Sequence, residues 1–253
     1  MSNVVAIAQK ELRSYFASPI GYVITGLFAL LFGWFFYNYL RYFASVSEQM
    51  MMSGGTPNVN QHMIAGLLQN AAVIILFIMP MITMRTYSEE KRSGTIELLL
   101  TSPVTDWQII LGKFFGAMGL YAAMLGVTVL YIGVLFFLGN PEWKPIVAGY
   151  LGLLLLGGCF ISVGLLISSL TKNQIVAGIA TFAVFLFLWV INWIGENASA
   201  TTRDLVNYLS ITQHFEDFTR GVIDTKHLVY YLSFITFGLF LTAKSVDSER
   251  WRG

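Results

Sequence analysis

Six long apolar runs divide the chain, each separated from the next by a more polar or glycine- and proline-marked segment. A helix needs roughly 20 apolar residues to cross a hydrocarbon layer of about 30 Å at 1.5 Å per residue. Runs of that kind lie at Ile20–Tyr42, Met63–Met84, Ile109–Leu138, Ile146–Leu170, Ile175–Ile194 and Leu228–Ala243. The pattern predicts an all-α polytopic membrane protein with about six transmembrane helices in a single transmembrane domain over residues 1–253. The last run is the shortest. The third and fourth exceed the need, which predicts tilt or extension into water.

The segments between the runs predict elements of their own. In 3–17, Val5, Ala8, Leu12 and Phe16 recur at helical spacing, with Lys10, Arg13 and Ser14 opposite, so the segment reads as an amphipathic helix in the membrane interface. Lys10, Glu11 and Arg13 interrupt it, with no apolar run before them, so no cleavable leader is expected. Ser18-Pro19 ends it. The loop Ala44–Gln61 reads as flexible. The 85–107 loop predicts a helical elbow: Gly94 ends one short helix, Thr95 caps another that runs to about Thr101, Pro103 stops it, and Thr105 caps the third span. In 195–227, apolar residues at helical spacing and the Glu216/Arg220 pair predict a structured cap.

Charge sets the orientation. With both termini cytoplasmic, ten Lys and Arg residues fall inside and five outside, the bias expected of inner loops. An even number of spans is consistent with it. Only 11% of residues are charged and the net charge is +1, too little basic surface for a nucleic-acid partner. No Asp, Glu or His falls near the middle of a span, which argues against a proton- or ion-coupled carrier. Lys113 lies near a span end and reads as snorkelling to the interface. Gly157, Gly158, Ser162, Gly164, Ser168 and Ser169 read as close helix packing or as the lining of a polar path. Trp34, Phe35, Phe36, Trp189 and Trp193 read as interfacial belts or as a hydrophobic route. His62, His214 and His227 are scattered, with no second ligand at i+4, so no metal site is expected. Leu111-Gly112-Lys113-Phe114 lacks the glycine spacing and hydroxyl of a P-loop, so ATP has no such site in this chain.

On spacing alone, Glu89, Glu90, Lys91 and Arg92 are either a solvated face or a docking surface. The pattern Arg85-x-Tyr87-x-x-Glu90-Lys91-x-x-Gly94-Thr95-x-Glu97-x-Leu99-Leu100-x-x-Pro103 resembles the coupling region of type-2 ABC transporter permeases. The segment His214-Phe215-Glu216-Asp217-Phe218-x-Arg220-Gly221-Val222-Ile223-Asp224 resembles the gliding-motility-associated branch of that family. The resemblance implies a non-catalytic permease subunit in a bacterial inner membrane, exporting a substrate. A separate nucleotide-binding ATPase would carry ATP and Mg. It would dock on Glu90, Lys91, Gly94, Thr95, Glu97 and Pro103, with Gly94 permitting the bend. A second permease copy or a related subunit would complete the path, and an extracytoplasmic auxiliary protein is a further partner the family allows. Two other readings stay open from the residues: a membrane scaffold that transmits mechanical work, and a stand-alone secondary carrier.

Overall fold

The computed structural model describes residues 3–54, 58–97, 103–139, 141–196, 206 and 208–250. These residues form helices and connecting turns, with no strand among them. Six of the helices are long and apolar enough to cross a membrane.

Helix α1, Asn3–Ala17, precedes the first long helix, α2, Pro19–Met52. Ser18 separates them: its extended backbone breaks α1, its hydroxyl accepts the Ile20 N–H at 3.3 Å, and Pro19 takes the first helical position, where no donor is needed. The flexible loop expected from Ala44 is instead helical to Met52. Residues 43–52 hold neither glycine nor proline, so nothing stops α2 before Ser53 and Gly54, where φ reaches +77°. A π-helical turn, Asn60–Ile64, then leads into α3, Ala65–Thr83. The Asn60 side chain fixes this turn by exchanging two hydrogen bonds with the Glu142 backbone, at 2.8 and 3.0 Å.

A short helix α4, Ser88–Ser93, is followed by α5, Asp106–Leu138, α6, Trp143–Leu170, and α7, Gln174–Glu196. Helix α8, Ile211–Thr219, and the last long helix, α9, Thr225–Arg250, complete the described fold. Five of the six predicted spans lie within a single helix, and the second, Met63–Met84, runs from the π-helical turn through α3 to the residue after it. The sixth is longer than its apolar run, because Thr225, Lys226 and His227 lead in and residues 244–250, which hold neither glycine nor proline, extend it. In α6, 72% of the apolar window is buried, and in α3 67%, against 28% for α2 and 22% for α7. Helices α3 and α6 are therefore the centre, and the outer faces of α2 and α7 meet lipid or a partner.

Close packing at the centre depends on small residues. A Cβ at Gly157 would stand 2.1 Å from the Tyr121 ring, and one at Gly164 2.2 Å from Thr83 Oγ1. Of the two readings of this glycine and serine stripe, the structure thus shows packing at these two positions. Helix α1 uses the same device against α5, where Gly112 meets Ile7 and Gly116 meets Glu11. The face read from the periodicity holds at Ala8, Leu12 and Phe16 and fails at Val5. Val5 is 42% exposed, whereas Ile7, Leu12 and Phe16 pack on the core and Tyr15 is buried. The charged Glu11 is therefore on the packed side.

Candidate functional site

The elbow between α3 and α5 is where the chain gathers its buried charge. Helix α3 ends at Thr83, and Met84–Tyr87 turn the chain into α4. Gly94 closes α4 with φ +73°, a left-handed conformation, as its position predicts. An added Cβ at Gly94 would meet nothing within 4 Å, so only the backbone resists substitution there. Gly94→Ala should cost about 1 kcal/mol through that conformation, and Gly94→Asn less, as measured by chemical unfolding in detergent. The Thr95 hydroxyl bonds back to Ser93 Oγ at 2.9 Å and faces the Glu90 carbonyl at 3.5 Å. The remainder of the predicted second helix, 98–102, lies outside the described residues. At Thr105 the chain enters α5 with the Gln108 side chain accepting the Thr105 N–H at 3.2 Å.

Two buried lysines hold the elbow. Lys113 of α5 is 1% exposed. Its ammonium donates to Glu11 Oε1 at 3.1 Å, Glu90 Oε1 at 2.8 Å and the Thr86 carbonyl at 2.8 Å, which uses all three of its protons. The Tyr87 ring centroid lies 5.0 Å from the same nitrogen and adds a cation–π contact. Lys113 does not snorkel, because two carboxylates and a carbonyl replace its water where it stands. Lys91 of α4 is also buried and donates to the Ser169 carbonyl of α6 and to Glu249 of α9. Ser169 Oγ in turn donates to Ser245 Oγ of α9 at 2.8 Å.

Backbone contacts complete the attachment. Ser168 Oγ of α6 accepts the Tyr87 and Ser88 N–H groups at 3.0 and 3.1 Å and donates to the Met84 carbonyl at 3.0 Å. The Tyr15 hydroxyl of α1 donates to the Ile82 carbonyl at 3.0 Å. Burial pushes the Tyr15 phenol well above its ordinary range, so it remains a donor at any working pH. The elbow is thereby tied to α1, α5, α6 and α9 at once.

The six residues singled out from sequence thus separate into two sets. Glu90 and Lys91 are turned inward and engaged within the chain. Gly94, Thr95, Glu97 and Pro103 are exposed, as are Arg92 and Trp107. Sequence reasoning missed Glu11, Tyr15, Lys113, Ser168 and Glu249. The available signal was a lone lysine in the apolar run of α5, together with a glutamate in an otherwise amphipathic α1.

At the opposite end of the fold, α3, α7 and α8 line an open pocket of about 350 Å3 that includes Gln69, Asn70, Trp189, Phe215 and Glu216. Trp189 there shares the lining with amide and carboxylate side chains. Residues 214 and 227 also meet at that end: His214 Nδ1 stands 2.6 Å from His227 Nδ1, so two of the three histidines are paired. They lie 13 residues apart, and the fold-back of α8 onto α9 joins them where an i+4 search finds nothing.

Six apolar helices around a centre of α3 and α6, with a charged elbow at one end, define a polytopic helical membrane protein. Residues 5–244 match the model of the ABC-2 family transporter proteins, and the chain belongs to that family, whose members are transmembrane subunits of ABC transporters. It is 30% identical over 145 residues to a protein described as a probable multidrug ABC transporter permease, YbhR, of Escherichia coli strain K12, and equally to the protein of that description in Escherichia coli O157:H7. The similar stretch covers 56% of this chain and 38% of each of those proteins.

Proposed function

We propose that the chain is the membrane-embedded permease subunit of a bacterial inner-membrane ABC exporter, with both termini cytoplasmic and the elbow facing the cytoplasm. ATP and Mg belong to a separate nucleotide-binding ATPase, which docks on the exposed Gly94, Thr95, Glu97 and Pro103. Glu90 and Lys91, turned inward, take up the movement. A second permease, identical or related, completes the translocation path. The observation that carries this reading is the attachment of one exposed elbow to four helices through Lys113 and Lys91. A force applied at those exposed residues reaches α1, α5, α6 and α9 through buried, hydrogen-bonded charges rather than through a loose loop. Placement in the gliding-motility-associated branch rests on the 214–224 segment. Multidrug cargo, named for the Escherichia coli relatives, is one substrate class to test.

The experiment is affinity purification of the tagged chain from its native membranes after mild crosslinking. A P-loop ATPase is expected with the wild type and should be lost with Glu97→Lys. Glu90→Gln should retain the ATPase while lowering substrate-stimulated hydrolysis at least tenfold. Recovery of the chain without any ATPase after crosslinking would defeat the proposal.

A further inference from the structure

We propose that Asp217, His227 and His214 form a proton-binding site at the end of the fold opposite the elbow. The site holds one proton more than the three groups carry separately at neutral pH, and this proton latches α8 to α9. The inference is independent of any partner of the chain.

Asp217 Oδ2 lies 2.7 Å from His227 Nε2. His227 Nδ1 lies 2.6 Å from His214 Nδ1, and His214 Nε2 lies 3.0 Å from the Tyr208 carbonyl. All four ring nitrogens are engaged, and the imidazoles are 6% and 4% exposed. Each link needs one proton, and a carbonyl supplies none. Three protons must therefore be shared by one carboxyl and two imidazoles. Separately at pH 7 a carboxylate holds none and each neutral ring holds one, which makes two.

With only two protons one link fails. Either the two Nδ1 lone pairs face each other, or the His214 Nε2 lone pair faces the Tyr208 carbonyl, or the His227 Nε2 lone pair faces the Asp217 carboxylate. With four, two N–H groups collide between the rings. Only the three-proton state satisfies every contact. The positive charge it carries has three supports: the Asp217 carboxylate, the Tyr208 carbonyl, and the Tyr230 ring stacked on His214 with centroids 3.9 Å apart.

The surroundings limit the charge to one. From α9 the pair meets Lys226, Tyr230 and Tyr231, and from α8 Asp217. Asp224, just before α9, is paired with Lys226, and Glu216 is occupied by Arg220. From α6 the Cys159 thiol donates to the Tyr231 carbonyl. Burial, the largest influence on His214, holds it below the ordinary histidine range, and the Tyr208 carbonyl partly offsets this. Folding thus disfavours a fourth proton. That part of the stability is present above the ordinary histidine value of about 6.5 and is lost as pH falls below it. The third proton has the opposite sign: its contribution is lost as pH rises through the site's own titration. The latch therefore closes in a window and opens on both sides.

The test uses the full chain in lipid nanodiscs with 15N-labelled histidine and His62→Gln, which leaves only the two paired rings. At pH 7.5 one imidazolium per chain is expected, where two rings of ordinary pKa would together hold about 0.2. A count near 0.2 overturns the site. Asp217→Asn should lower the count to that level, and a count unchanged by it also overturns the site. On the wild type, amide exchange of residues 211–219, corrected for intrinsic rates, should be slowest near neutral pH and at least fivefold faster on either side. Protection independent of pH would remove the latch even if the proton is present.

Discussion

Lys113→Met is expected to destabilise the chain by about 3–5 kcal/mol, the loss seen when one member of a buried ion pair is removed. Lys113 stands between Glu11 and Glu90, whose side chains are 13% and 15% exposed. Methionine fills most of the volume but leaves two carboxylates facing each other, with the Thr86 carbonyl unpaired. The exposed Lys10, 3.6 Å from Glu90 and 3.8 Å from Glu11, cannot substitute, because its ammonium stays in water. Adding Glu11→Gln and Glu90→Gln to Lys113→Met should recover much of the loss, since no unpaired charge then remains buried. Reversible denaturant titration in mixed micelles reads both effects. A loss within about 0.5 kcal/mol for Lys113→Met, the range of ordinary surface substitutions, would show the triad to be a solvated surface pair. The prediction would then fail, and with it the argument that the elbow moves several helices together.

The contrast between spans and triad shows what a linear reading can reach. A span is a local property: each needs only its own apolar run, and every one of the six was legible. The ends were less so, because α2 and α9 continue through polar residues that hold a helix once it has begun. The Gly94 turn and the entry at Thr105 were legible for the same local reason. The triad is not local. Lys113 reaches back 102 residues to Glu11 and 23 to Glu90, and Lys91 reaches forward 158 to Glu249. Nothing in the spacing of Glu90 and Lys91 distinguishes a solvated face from an internal tie. Only the arrival of α5, α6 and α9 around α4 decides it. The face of α1 was legible at Ala8, Leu12 and Phe16, with Lys10, Arg13 and Ser14 outward, but the place of Glu11 was not, because its partner lies in the span against which α1 packs.

Gly116→Val should detach α1 from α5 while leaving the six long helices inserted. A Cβ at Gly116 would stand 2.5 Å from Glu11 Cβ and 3.2 Å from the Ala8 carbonyl, so neighbouring backbone must shift. Overpacking of this kind costs about 1–3 kcal/mol, and the shift also withdraws Glu11 from Lys113. Amide exchange of residues 3–17 is then expected to accelerate at least tenfold, with the core of α3 and α6 unchanged. Gly126 and Gly133 supply the control, since they lie on the same helix with nothing within 4 Å of an added Cβ. Gly126→Val and Gly133→Val carry the same change in helix propensity without the collision, and they should leave α1 protected. If Gly116→Val also leaves α1 protected, close approach is not what holds it, and the Tyr15 and Glu11 contacts would have to hold α1 alone. If α1 is freed and substrate-stimulated hydrolysis by a copurified ATPase falls with it, α1 is a moving part of the permease rather than an anchor. The glycine contacts at 112 and 116 are then what make α1 and α5 move as one body.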